Sequence, residues 1–117
     1  MKKSLADKLL EYADKNPDGF TVKVADGKLT PVTNTEYGRY AVSTTHITSA
    51  SQVRENFYNW YNGFAGGWYD KKDDEYCIDK TLIVDDKKRA FQIGRTYGQK
   101  YIFDLKKMIE IKIPKLF

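Results

Sequence analysis

Residues Gly66–Asp104 read GGWYDKKDDEYCIDKTLIVDDKKRAFQIGRTYGQKYIFD, and how this stretch parses decides the fold. Trp68 to Asp70 and Glu75 to Asp79 flank the polar loop Lys71-Lys72-Asp73-Asp74, which predicts a hairpin. Thr81 to Val84 is a nearly continuous apolar run, the pattern of a strand buried on both faces. Asp85 or Asp86 can cap a helix whose apolar side is Ala90, Phe91, Ile93, Gly94 and Tyr97, with Gly98 closing it. Tyr101-Ile102-Phe103 is the next strand. Thr81 to Phe103 can thus form a right-handed strand–helix–strand crossover.

Upstream, Gly63 and Gly66-Gly67 predict the stop of a helix that Ser49 opens. Ser49 and Gln52 have capping-box spacing, and Val53, Phe57, Trp60 and Phe64 recur at helical intervals as a heavy aromatic stripe flanked by Tyr58 and Tyr61. Such a stripe is expected to be the main helix packing on the sheet. Before it, Phe20, Val22 and Val24 alternate with polar residues, Asp26-Gly27 is a tight-turn signal, and Pro31 relegates Lys28 to Val32 to an edge. Arg39 to Ser43 offers a third strand with Tyr40 and Val42 on one face. The N-terminal helix, Ser4 to Lys15, is capped by Ser4, shows Leu5, Leu9, Tyr12 and Ala13 on one side, and stops at Asn16-Pro17-Asp18-Gly19. Downstream, Lys106-Lys107 turns the chain into a last strand with Ile109, Ile111 and Ile113 alternating, ended by Pro114. The expectation is one α+β domain over residues 1–117: about three helices on a largely antiparallel, mixed sheet.

Composition bounds the function. The 117 residues carry 41% hydrophobic and 31% charged residues, too apolar for disorder. Nine Tyr and two Trp suit half-buried strands or a binding face. The net charge of +4 is spread: residues 1–63 hold 8 basic and 7 acidic groups, residues 64–117 hold 12 and 9. A dedicated DNA-binding domain concentrates far more positive charge on one stripe. One Cys excludes an internal disulfide, and no run approaches the ~18 apolar residues of a membrane span. Met1 to Lys8 lacks the apolar core of a signal peptide, so the expected location is the cytoplasm.

Catalytic chemistry finds little to use. His46 is the only His and sits in a polar run away from Cys77, which alternates on a strand as a small hydrophobe. Zinc wants four Cys or His ligands, so no metal or cofactor is expected. Asp70, Asp73, Asp74, Glu75 and Asp79 lack the order of a calcium loop, and Lys71 and Lys72 interrupt them. An enzyme built on carboxylates such as Asp70 and Asp79 would need them to converge in one pocket. Basic residues with neighbouring aromatics, Lys87, Lys88, Arg89, Arg95 and Lys100 beside Tyr97, are the set a nucleic acid or nucleotide would use.

The pattern Gly66-Gly67-Trp68, Ile78-Asp79-x-Thr81-x-Ile83, Ala90 and Gln99-x-x-Ile102-Phe103-Asp104-Leu105 resembles small accessory proteins of bacteriophages and integrative elements of gut bacteria, over roughly the C-terminal half. The resemblance implies a mobile-element protein that binds and blocks a host defence component in the host cytoplasm. The reading that follows is a non-enzymatic protein inhibitor whose partner is a host protein, contacted by Tyr58, Tyr61, Trp68, Tyr69 and Arg95. Nucleic acid or nucleotide on the basic third helix is the alternative; no membrane is implied, and a homodimer is left open.

Overall fold

A computed structural model of the chain describes residues 3–58, 60 and 62–115. The elements run α1 (Leu5–Lys15), β1 (Phe20–Ala25), β2 (Lys28–Pro31), β3 (Tyr40–Ser43), α2 (Ala50–Asn56), β4 (Gly63–Asp70), β5 (Glu75–Val84), α3 (Lys87–Thr96), β6 (Tyr101–Asp104) and β7 (Ile109–Lys112). The seven strands make one sheet in the order β2-β1-β4-β5-β3-β6-β7, and every pairing is antiparallel. The expected α+β architecture with three helices holds.

Local chemistry explains the element ends. The Ser4 hydroxyl accepts from the Asp7 N–H at 3.1 Å, and the Asn16 amide closes α1 on the Tyr12 carbonyl at 3.0 Å. Asp26 and Gly27 both take positive φ, 51° and 75°, the mirror-image turn that matches strand twist in a two-residue hairpin. At α2 the Ser49 hydroxyl accepts from Gln52 N–H, while the Gln52 side chain reaches one residue further back, to Thr48 N–H at 2.8 Å. Asp86, not Asp85, caps α3.

Alternation then sorts side chains between two faces. On one face, Leu9, Leu10 and Ala13 of α1 and Val53 and Phe57 at α2 bury Val22, Val24, Ala65 and Ile78. On the same side α3 lays Ala90 against Tyr40, Val42, Ile102 and Ile113. Among the described residues the other face carries no helix; Phe64, Ile83 and Phe103 gather there round Val32, Ala41 and Leu105.

Four expectations need correction. The second helix is only seven residues and ends at Asn56, so Trp60 and Phe64 do not continue its stripe. Phe64 belongs to β4 and lies on the helix-free face, because pairing of residues 63–70 with both β1 and β5 outweighs a helical pattern made of aromatics with poor helix propensity. Gly63 retains the left-handed φ of 140°, but Gly66 and Gly67 are mid-strand rather than a helix stop. A Cβ at Gly67 would overlap the Cys77 carbonyl oxygen, which is why glycine stands there. Thr81 to Val84 is the second half of the single long strand β5, and Leu82 is 46% exposed, so the run is not buried on both faces. Finally, β5 and β6 do run parallel around α3, but β3 is inserted between them and pairs with both.

Candidate functional site: a cleft on the open sheet face

The helix-free face is hollowed into a cleft of about 670 Å³, a size in the range of ligand sites. Small side chains make its floor: Thr21 of β1, Gly66 of β4, Ala41 and Ser43 of β3, and Thr81 of β5. A Cβ at Gly66 would stand 3.2 Å from both the Phe20 carbonyl and the Thr81 hydroxyl, so the missing side chain is what keeps the floor low. Large side chains make the rim. Trp68, Tyr101 and Met108 line the cleft while 44%, 48% and 52% exposed, and Phe103 lines it too, packed on Val32, Ala41 and Leu105.

Of the three carboxylates that line the cleft, Asp18, Asp79 and Glu110, Asp79 is the one on a central strand, β5. Asp79 Oδ1 accepts from the Thr45 hydroxyl and the Ile47 N–H, both at 3.0 Å, and among the described residues Oδ2 has no partner. Burial raises the Asp79 pKa, those two donors oppose the rise, and no cation pairs with it among the described residues. The loop that serves Asp79 is itself pinned: Lys80 N–H donates to the Thr45 hydroxyl at 3.1 Å, and Gln99 donates to the Thr45 carbonyl at 3.1 Å. His46 Nε2 lies 3.1 Å from the Tyr97 carbonyl and 3.4 Å from the Gln99 amide nitrogen. Next to Asp79 on the same face, the Cys77 thiol is pushed up to about 11 by burial, which keeps it protonated and unreactive at neutral pH.

A second buried carboxylate contrasts with the first. Asp104, at the end of β6, is 1% exposed and takes two hydrogen bonds from Arg39, at 3.1 and 2.9 Å, plus the N–H groups of Lys106 and Lys107. The Arg39 bonds hold its pKa well below the usual carboxylate range. It pins the β6–β7 turn to the chain just before β3, a structural task.

Of the five residues expected at a protein interface four are described, and among these Trp68 alone lines the cleft. Tyr69 lies on the opposite face, stacked on Tyr76 at 4.3 Å with its hydroxyl on Asp74 at 2.7 Å. Tyr58 is 78% exposed beyond α2, and Tyr61 lies outside the described residues. Arg95 donates to the Pro114 carbonyl at 3.3 and 2.9 Å, tying α3 to the end of β7. In the basic set, Lys87, Lys88 and Arg89 are exposed together at the start of α3, while Lys100 lines the cleft instead. Asp70 and Asp79 do not converge. Asp79 pairs with Gly66, four residues along β4 from Asp70, a separation of about 13 Å. Asp70 is used by its own turn, accepting from Lys72 and Asp73 N–H. Among the described residues no three His, Cys, Asp or Glu side chains group as metal ligands, and no helix is long and apolar enough to cross a membrane.

Comparison with protein-family models, with curated proteins and with solved structures finds no match for this chain. Tyr101, Phe103 and Met108 were not singled out from the sequence. Their signal was the alternation of Tyr101 and Phe103 about the buried Ile102, which sends both to the face that Trp68 and Asp79 share.

Proposed function

We propose that this protein is a stoichiometric binding protein of a phage or mobile element, acting in the host cytoplasm by engaging a host protein through the open-face cleft. The observation that carries the reading is the combination of a cleft of about 670 Å³ with a rim of exposed Trp68, Tyr101 and Met108. Aromatic and Met side chains around a concave centre are the composition of interface hot spots. In that role Trp68 and Tyr101 pack on the partner's apolar surface, and Asp79 Oδ2 receives a hydrogen-bond donor from the segment that enters the cleft. Oδ1 stays with Thr45 and Ile47, so the carboxylate is held in place before the partner arrives. The mobile-element setting and the inhibitory outcome rest on the resemblance of the C-terminal half.

The test is capture from host lysate with four baits: wild type, Trp68→Ala, Tyr101→Ala and Tyr58→Ala. A protein held by wild type and Tyr58→Ala at equal yield, and lost by both cleft variants, supports the reading. A protein retained equally by all four baits overturns the cleft as the site. Capture of nothing by wild type, at low or high salt, overturns protein binding itself.

A further inference from the structure

The two edges of the sheet are not equivalent. β2 ends in Pro31, which has no N–H to offer a further strand. β7 is open: it pairs with β6 on one side, and among the described residues nothing hydrogen-bonds to the other. The hydrogen-bond phase of β7 follows from one observed contact. Ile113 N–H donates to the Lys100 carbonyl at 2.8 Å, and the register continues as Tyr101 opposite Lys112 and Ile102 opposite Ile111. Antiparallel pairs alternate between bonded and non-bonded, so Ile113, Ile111 and Ile109 turn their backbone groups toward β6. Glu110 and Lys112 therefore turn their N–H and C=O groups outward, at the free edge.

We propose that β7 is a self-association edge, pairing antiparallel with β7 of a second copy of this chain about a two-fold axis through Ile111. The register is selected by elimination. A bonded pair needs outward-facing residues opposite one another. Centring on Glu110 sets Glu110 against its own copy. Centring on Lys112 sets two Lys together and leaves Glu110 facing Pro114, which has no N–H. Centring on Ile111 alone sets Glu110 opposite Lys112 of the second copy, twice, and each pair exchanges both backbone bonds. Cross-strand opposite charges stabilise and like charges destabilise, so the two other registers are disfavoured by the same residues that favour this one. Neither Glu110 nor Lys112 has a salt-bridge partner among the described residues. Ile109, 48% exposed, comes opposite Ile113 of the second copy and is covered by the pairing.

The consequence is one continuous sheet in which both open clefts face the same side, because a two-fold axis through facing residues stands perpendicular to the sheet. Glu110 also lines the cleft, so the pairing reaches the cleft margin, and self-association is read with the chain alone. The edge is four residues long, so the interface is small and the equilibrium weak, with Kd on the order of 10–100 μM.

Sedimentation velocity over a concentration series on the full chain tests it, with Glu110→Lys, Lys112→Glu and the double exchange Glu110→Lys/Lys112→Glu. Both single variants convert the two pairs to like-charge pairs and are expected to weaken the dimer by about tenfold or more, while the double exchange returns it to within about threefold of wild type. Both side chains are exposed, and an unchanged far-UV circular dichroism spectrum checks that each variant is folded. A wild type that stays monomeric at about 1 mM overturns the proposal. So do single variants that dimerise like wild type, or a double exchange that remains monomeric.

Discussion

Along β5, Tyr76, Ile78 and Val84 pass into the helix-covered layer, while Cys77, Asp79 and Thr81, one residue out of step, line the open cleft. The two faces share one backbone and differ in what covers them. Against the helices, the side chains interlock and the phenol of Tyr76 is tied to Asp14 at 2.7 Å. On the open face small Gly, Ala, Ser and Thr side chains lie beside the buried Val32 and Leu105, while Trp68, Tyr101 and Met108 stand with about half their surface in water. The carboxylates Asp104 and Asp79 repeat the contrast. One has a guanidinium and two backbone donors beyond it, and its pKa is low; the other has no ion-pair partner among the described residues, and burial raises its pKa. The helix-covered face is built for stability, and the open face leaves capacity unused.

The comparison can be broken by substitutions matched across the sheet. Phe57, 1% exposed beneath α2, is expected to cost about 3–5 kcal/mol as Phe57→Ala, read from urea unfolding. Trp68→Ala on the open face is expected to cost about 1 kcal/mol or less while abolishing partner capture. Equal stability losses would mean that the rim is core after all. Next in size is the glycine pair. Gly67→Ala meets the Cys77 backbone and is expected to lose about 1–3 kcal/mol, whereas Gly66→Ala needs a shift of only tenths of an ångström and is expected to lose less.

The carboxylates sharpen the contrast by pH. Because the folded pKa of Asp104 lies below its unfolded value of about 3.9, its contribution to stability is fully present above about pH 4 and is lost as pH falls further. Asp104→Asn should lower the urea midpoint at pH 7 and flatten the loss of stability between about pH 4 and pH 2. An acid limb identical to wild type would argue against it. Asp79 has the opposite sign: its folded pKa is raised, so ionisation costs more in the folded state and that cost grows as pH rises past about 4. Asp79→Asn keeps Oδ1 for Thr45 and Ile47, and is expected to raise the thermal midpoint by a few degrees at pH 7 and by nothing at pH 3. A midpoint that falls at pH 7 would give Asp79 the same structural task as Asp104. This is the smallest effect of the series.

Much of the fold was legible from local chemistry. Ser4 capping, the Asp26-Gly27 turn, the Phe20, Val22, Val24 alternation, the edge position of Pro31 and the Lys71–Asp74 hairpin loop each depend on neighbours a few residues away. The failures were positions where distant pairing outweighed local period. Residues 63–70 look like a helix tail until β1 and β5 take them as a strand, and the strand–helix–strand unit of β5, α3 and β6 gives no hint that β3 lies inside it.

The candidate site was less legible, for the same reason. Trp68 was visible as an aromatic without a core role, but the cleft exists only because β3, β4, β5 and β6 bring small residues into one floor. By itself the sequence determined most of the elements, the caps at Ser4 and Ser49 and the absence of a disulfide, because these follow from backbone preference and composition within short range. Tertiary structure alone decided which carboxylate is paired: Arg39 is 65 residues from Asp104, and Thr45 is 34 residues from Asp79. No periodicity encodes such distances; they are set when the sheet closes its register.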